Sequence, residues 1–202
     1  MRFYLTVILT AALIIVAINL LVLPEAVTWQ NVASVSLSVT AGVFSVITVD
    51  GIFALLIRRL LPSRIFSADQ HRFRVGKKEY EIYRALQIKK WKGLIPELGC
   101  FTGFSKSHLK STDDQEYLAR FLLESNYGVV IHLANAALGF LIAFIPPCSA
   151  PSVWIPVFLV NFLLSCLPVA VLRYTSYTLQ KLYARSLSKN ETPFKAKNLS
   201  PS

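Results

Sequence analysis

The chain has 202 residues, 54% of them hydrophobic, with a mean hydropathy of +0.51 and a formal net charge of +10. A soluble domain of this length cannot hide so many uninterrupted apolar residues in one core, so an ordinary water-soluble protein is excluded and the class is integral membrane. The three cysteines, Cys100, Cys148 and Cys166, show no paired or metal-like spacing; free thiols are expected, with no disulfide, metal or cofactor.

Phe3 to Leu23 is a 21-residue run without charge, preceded by Arg2. At about 1.5 Å rise per residue such a run crosses a hydrocarbon core of about 30 Å. A signal peptide usually has a shorter apolar region, and Pro24-Glu25-Ala26 makes a poor cleavage site, so the run reads as a retained anchor. Val32 to Ile57 is a second span, interrupted by Asp50 and two glycines. Asp50 is either a functional intramembrane carboxylate or a partner of Arg58 or Arg59 at the membrane edge; the sequence leaves both open.

The polar stretch Arg58 to Glu124 carries 14 of the 21 Lys and Arg residues. Within it Lys77 to Trp91 has helical character, with Tyr80, Tyr83, Leu86 and roughly Lys90 recurring on one side. Trp91 lies among Lys89, Lys90 and Lys92, a composition suited to a helix at the headgroup level of a bilayer. Ser111-Thr112-Asp113-Asp114 supplies N-cap residues for a helix from Glu116 to Leu123. Gly128 to Ile145 and Val153 to Leu172 are the third and fourth spans, and a basic tail follows from Arg173.

The links Pro24–Asn31 and Pro146–Ser152 contain no Lys or Arg, whereas the N-terminus, the long stretch and the tail contain all of them. The positive-inside rule then places both termini and the long loop in the cytoplasm of a multi-pass cell-membrane protein. The expected fold is all-α and polytopic: four transmembrane helices and a long cytoplasmic helical loop. It divides into a hairpin over 1–57, a basic loop over 58–124, a second hairpin over 125–172 and a tail over 173–202. The basic charge is explained by topology and anionic lipid, and nucleic-acid binding is not expected.

Candidate chemistry centres on the stretch from Glu124 to His132, where the chain passes from polar loop to apolar span. Eight residues on a helix place the two side chains within about 80° of each other around the axis and roughly 12 Å along it. An imidazole there could act as a general base, with Glu124 to support it. The plainer reading is an interfacial histidine bonded to a neighbouring helix. A second choice is His108 with Asp113, which has the histidine-to-aspartate spacing of glycerolipid acyltransferases; Asp113 also has work as a helix cap. Cys100, a weaker nucleophile candidate, lacks an evident basic partner.

Taken in order, Ile88-Lys89-Lys90-Trp91-Lys92, Leu94-Ile95-Pro96-Glu97, Gly103-Phe104-Ser105-Lys106 with His108-Leu109, Tyr117-Leu118 and Phe121, Glu124-Ser125-Asn126-Tyr127-Gly128 with His132, Asn161, Leu167-Pro168 and Leu172-Arg173-Tyr174 carry a likeness. Over roughly Arg58 to Leu182 the chain resembles the glycosyl-4,4'-diaponeurosporenoate acyltransferase family of staphyloxanthin-type carotenoid synthesis. The resemblance implies transfer of a fatty acyl group from a thioester donor to a sugar hydroxyl of a glycosylated lipid at the cytoplasmic face of the bilayer. It implies His132 and Glu124 as catalytic residues, and Lys89, Lys90, Trp91, Lys92, Asn161 and Arg173 as substrate-binding ones. The chain departs from the family pattern at Val129, where a second glutamate is expected, and at Thr175-Ser176-Tyr177, where Asn-Arg-Pro is expected. The alternative from another class is a non-catalytic lipid-binding or partner-binding membrane protein.

Overall fold

The computed structural model describes residues 2–22, 27–95, 111–112 and 114–197, with side chains in the last helix as far as Lys189. Among the described residues there is no strand. The helices are α1 (Arg2–Val22), α2 (Trp29–Leu60), α3 (Lys77–Ala85), α4 (Ile88–Trp91), α5 (Gln115–Leu138) and α6 (Pro151–Lys197). Short 3-10 turns at Ser63–Phe66, His71–Phe73, Lys92–Leu94 and Gly139–Phe144 complete the described backbone.

Among the described residues four stretches are long and apolar enough to cross a membrane: Arg2–Val22, Trp29–Leu60, Gln115–Phe144 and Pro151–Lys189. Leu13, Leu21, Phe44 and Leu55 on α1 and α2 remain 71%, 84%, 71% and 70% exposed. Water does not tolerate an apolar surface that continuous, so its solvent is lipid.

The helices are longer than the hydropathy pattern implies. The loop helix expected from Glu116 and the third span form one helix, α5, whose last turns tighten to 3-10 geometry at Gly139–Phe144. The fourth span continues past Leu172 as α6, because nothing in Arg173 to Lys189 breaks a helix. The expected helix over 77–91 is instead split in two by Gln87, which takes a left-handed φ of 53°.

Two compact units result. The first comprises residues 1–60, 94–96 and 130–169. Its apolar core joins Ile15 of α1, Val39 and Val46 of α2, Ile142, and Val153 and Val157 of α6. Two of the prolines in α6 shape it within this unit. Pro156 and Pro168 have no N–H to offer the carbonyls four residues earlier, those of Ser152 and Leu164. Both receive donors from α1: Asn19 Nδ2 donates to the Ser152 carbonyl at 3.0 Å, and the Tyr4 hydroxyl to that of Leu164 at 2.9 Å. In lipid, where no water can satisfy an orphaned carbonyl, these contacts bind α1 to α6.

The second unit comprises residues 61–93, 97–129 and 170–202, of which 97–110, 113 and 198–202 lie outside the described residues. Leu118, Phe121 and Leu122 of α5 pack on Leu179 of α6. Phe66, 1% exposed, stacks on Tyr127 with ring centroids 3.9 Å apart. The Asn126 amide donates to the Phe66 carbonyl at 2.9 Å. Gln180 accepts from the Val75 N–H at 3.0 Å and donates to the Phe73 carbonyl at 2.9 Å, so one side chain clamps the incoming strand of loop. At the start of α5, Asp114 Oδ1 accepts from the Tyr117 N–H at 3.0 Å, and Ser111 Oγ from the Asp114 N–H at 3.1 Å. These are the caps expected of that segment.

Candidate functional site

Within the first unit the polar side chains converge. Asn161 of α6 donates from Nδ2 to Asp50 Oδ1 of α2 and to the Asn135 carbonyl of α5, both at 3.4 Å. Asp50 thus has Asn161 as its hydrogen-bond partner, a third possibility beside the two the sequence left open. Asn135 is 6% exposed, and its Oδ1 is buried without a partner. His132 is half-buried one turn earlier on α5. Residues 132, 135 and 139 fall on one side of a helix. Gly139 marks where that side meets its neighbours: a Cβ there would stand 2.8 Å from Asn161 Nδ2 and 3.6 Å from Val46. His132, Asn135, Asn161 and Asp50 therefore occupy one neighbourhood. Beside it lies a cavity of about 40 Å³ lined by α1, α2 and α6, with Asn161 as its polar member.

The second unit holds the other candidates. Arg173 grips Glu79 with two nitrogens, Nε to Oε1 at 2.8 Å and Nη2 to Oε2 at 2.7 Å. Its remaining reach goes to backbone: Nη1 donates to the Phe73 carbonyl at 3.0 Å and Nη2 to that of Arg74 at 3.3 Å. Tyr83 donates to Glu79 Oε1 at 3.0 Å. Partial burial pushes the Glu79 carboxyl up, but hydrogen bonds from Arg173 and Tyr83 and the guanidinium charge outweigh it, holding the group below the usual glutamate range. Burial and the adjacent carboxylate together raise the Tyr83 phenol. Tyr80 stacks against Tyr174 and Tyr177 of α6, centroids 5.3 and 4.2 Å away.

Tyr80 and Tyr83 thus face α6 while Ile82 and Leu86 stay 61% and 58% exposed, so the side predicted to carry Tyr80, Tyr83 and Leu86 together is divided. Lys89, Lys90 and Lys92 are exposed around a half-buried Trp91, whose indole N–H donates to the Leu86 carbonyl at 3.0 Å. Glu124 is 8% exposed, flanked by buried Ser125 and Asn126. It belongs to this unit and His132 to the other, although both lie on α5. His108, Asp113 and Cys100 lie outside the described residues.

The family model of glycosyl-4,4'-diaponeurosporenoate acyltransferase matches residues 62–185, more than half of the chain. The chain belongs to that family. No curated protein and no solved structure matches it. The matched stretch contains Lys89, Lys90, Trp91, Lys92, Glu124, His132, Asn161 and Arg173, and it leaves out α1, α2 and Asp50. In this family member Val129, in place of the expected glutamate, is 5% exposed.

Two residues escaped the sequence reading. Glu79 is one of several charges on a basic helix, and nothing local points to a partner 94 positions away. Asn135 had a signal, a carboxamide one turn after His132 in an apolar span, and that spacing could have singled it out.

Proposed function

We propose that this chain moves a fatty acyl group from a thioester donor to a sugar hydroxyl of a glycosylated lipid of the carotenoid-glycoside type. The observation that carries the reading is the family match over residues 62–185. Supporting it, the chain has a half-buried imidazole in an apolar helix and a carboxamide in the same neighbourhood.

In the reaction, the acceptor oxygen attacks the thioester carbonyl. A carbon–oxygen bond forms as the carbon–sulfur bond breaks. His132 takes the proton from the hydroxyl and returns it to the leaving thiolate, so an ester and a free thiol result. Lys89, Lys90 and Lys92 offer exposed ammonium groups to the anionic part of a donor such as an acyl coenzyme, with Trp91 held beside them. Arg173 acts here as a positioning residue, since its donors already hold Glu79 and two carbonyls of the loop. Glu124, buried on the same helix as His132, is the second catalytic candidate. The work takes place at the cytoplasmic face of the cell membrane.

His132→Ala is expected to lower formation of the acylated glycolipid by about 10²–10⁴-fold, the usual share of a general base, with unchanged protein abundance in the membrane. Lipid profiling of cells carrying each variant measures it. A silent His132→Ala removes the mechanism and favours the non-catalytic reading. Exposed Ile82 and Leu86 beside exposed lysines would then serve to bind a lipid surface.

A further inference from the structure

Polar side chains inside an apolar bundle are costly, and they persist where they are paired or where a polar guest completes them. The cluster on α2, α5 and α6 is only half completed. A carboxamide has two N–H donors; those of Asn161 account for Asp50 Oδ1 and the Asn135 carbonyl. What remains is a surplus of acceptors: Asp50 Oδ2, Asn161 Oδ1 and Asn135 Oδ1, the last buried with no partner. Acceptor oxygens in an apolar wall select a guest that donates, and hydroxyl groups are that guest.

The neighbouring cavity, about 40 Å³, has room for a small group of such a molecule and not for its chain. Its walls are small and aliphatic, with Ala11, Ala12, Val43, Val46 and Val160 among them, and Asn161 is its polar member. Asp50 and Asn161 are themselves only half-buried, so a hydroxylated lipid head can approach them from the apolar surface of the bundle. His132 lies three residues before Asn135 on the same side of α5, about 4.5 Å along the axis.

We propose that Asp50, Asn135 and Asn161 form the acceptor-hydroxyl subsite. They take hydrogen bonds from sugar hydroxyls of a glycosylated lipid and hold one of them beside His132. The proposal rests on the acyl-transfer reading for its purpose, but its content is a binding specificity that can be measured without transfer. It also gives α2, which lies outside the stretch matched by the family, a part in the site.

The test uses the full chain in phosphatidylcholine nanodiscs. The probe is a pyrene-labelled alkyl glucoside, paired with its per-O-methylated counterpart, which has the same chain and no hydroxyl donors. Energy transfer from the protein's tryptophans reads binding. The wild type is expected to prefer the free glucoside by about tenfold or more, the factor carried by one or two hydrogen bonds. Asp50→Asn and Asn135→Leu should each remove most of that preference. Gly139→Ala supplies an independent variant, because its methyl would press on Asn161 Nδ2 without deleting an acceptor; it too should lose preference. Size-exclusion profiles identify any variant that fails to fold, and the remaining ones then decide.

Equal binding of the two probes by the wild type overturns the subsite. So does a full preference retained in folded variants. Neither result touches the acyl-transfer reading. Selective glucoside binding by a wild type that transfers no acyl group would instead sink that reading and leave the subsite standing.

Discussion

At the scale of single residues the most constrained side chain is Arg173. A planar guanidinium presents its donors as a fork, and the Glu79 carboxylate meets two of them at 2.8 and 2.7 Å while two backbone carbonyls take others. The Arg173 side chain is 16% exposed and that of Glu79 31%, so the pair is partly shielded from water. Charge-assisted bonds in such a setting are worth about 1–2 kcal/mol after allowance for screening. The pH dependence has a definite sign. Folding lowers the Glu79 pKa from its ordinary 4.5, so the contribution is fully present above that value and is lost as pH falls through the lower folded pKa. Glu79→Gln should therefore lower the thermal midpoint of the detergent-solubilised protein at pH 7, and its gap from wild type should narrow as the pH is taken below the ordinary glutamate range. A gap that stays constant across that range would mean the carboxylate charge contributes nothing to holding the loop on α6.

At the scale of elements, α1 meets α6 through defects in α6. Pro168 leaves the Leu164 carbonyl without its helical donor, and Tyr4 supplies one at 2.9 Å; Pro156 and Asn19 repeat the arrangement at Ser152. The dependence can be measured as a coupling. Tyr4→Phe should cost about 1 kcal/mol in the wild type. In a Pro168→Ala background, residue 168 regains an N–H that can reach the Leu164 carbonyl, and the same change should cost markedly less. Equal penalties in the two backgrounds, measured by denaturant unfolding in mixed micelles, would separate the hydroxyl from the proline. None of this is visible in the chain read alone. The four apolar runs are legible because hydropathy is a local property, summed over residues that are neighbours in sequence. The tyrosine that completes a carbonyl 160 positions away is not. The same limit explains the stretch from Lys77 to Leu86, where Tyr80 and Leu86 look like one side until Tyr174 and Tyr177 take the tyrosine. It explains Gln87 as well: a lone glutamine gives no sign that it will adopt φ 53° and end a helix.

At the scale of the whole molecule the charge pattern argues for a direction in which the helices cross. His132 is legible as a candidate because an ionisable group stands out in an apolar run, the lysines because they surround the Trp91 indole, and Asn161 because the family likeness passes through it. Asp50 and Asn135 gain meaning only from the fold that ties Asn161 to both. Sidedness remains a matter of charge: no Lys or Arg occurs in 24–31 or 146–152, and 14 of the 21 occur in 58–124. Under the proposed acyl transfer, a thioester donor made in the cytoplasm would reach the chain only with that basic stretch facing inward, so the proposed chemistry and the expected topology are tested together. The direct measurement replaces the three native cysteines by serine and introduces single ones at Trp29, 82% exposed, or at Lys90, also exposed. A membrane-impermeant maleimide added to intact cells should label Trp29→Cys and spare Lys90→Cys until the membrane is opened. The reverse pattern would turn the protein over in the bilayer, place the lysines on the outer surface, and deprive a cytoplasmic acyl donor of any route to them.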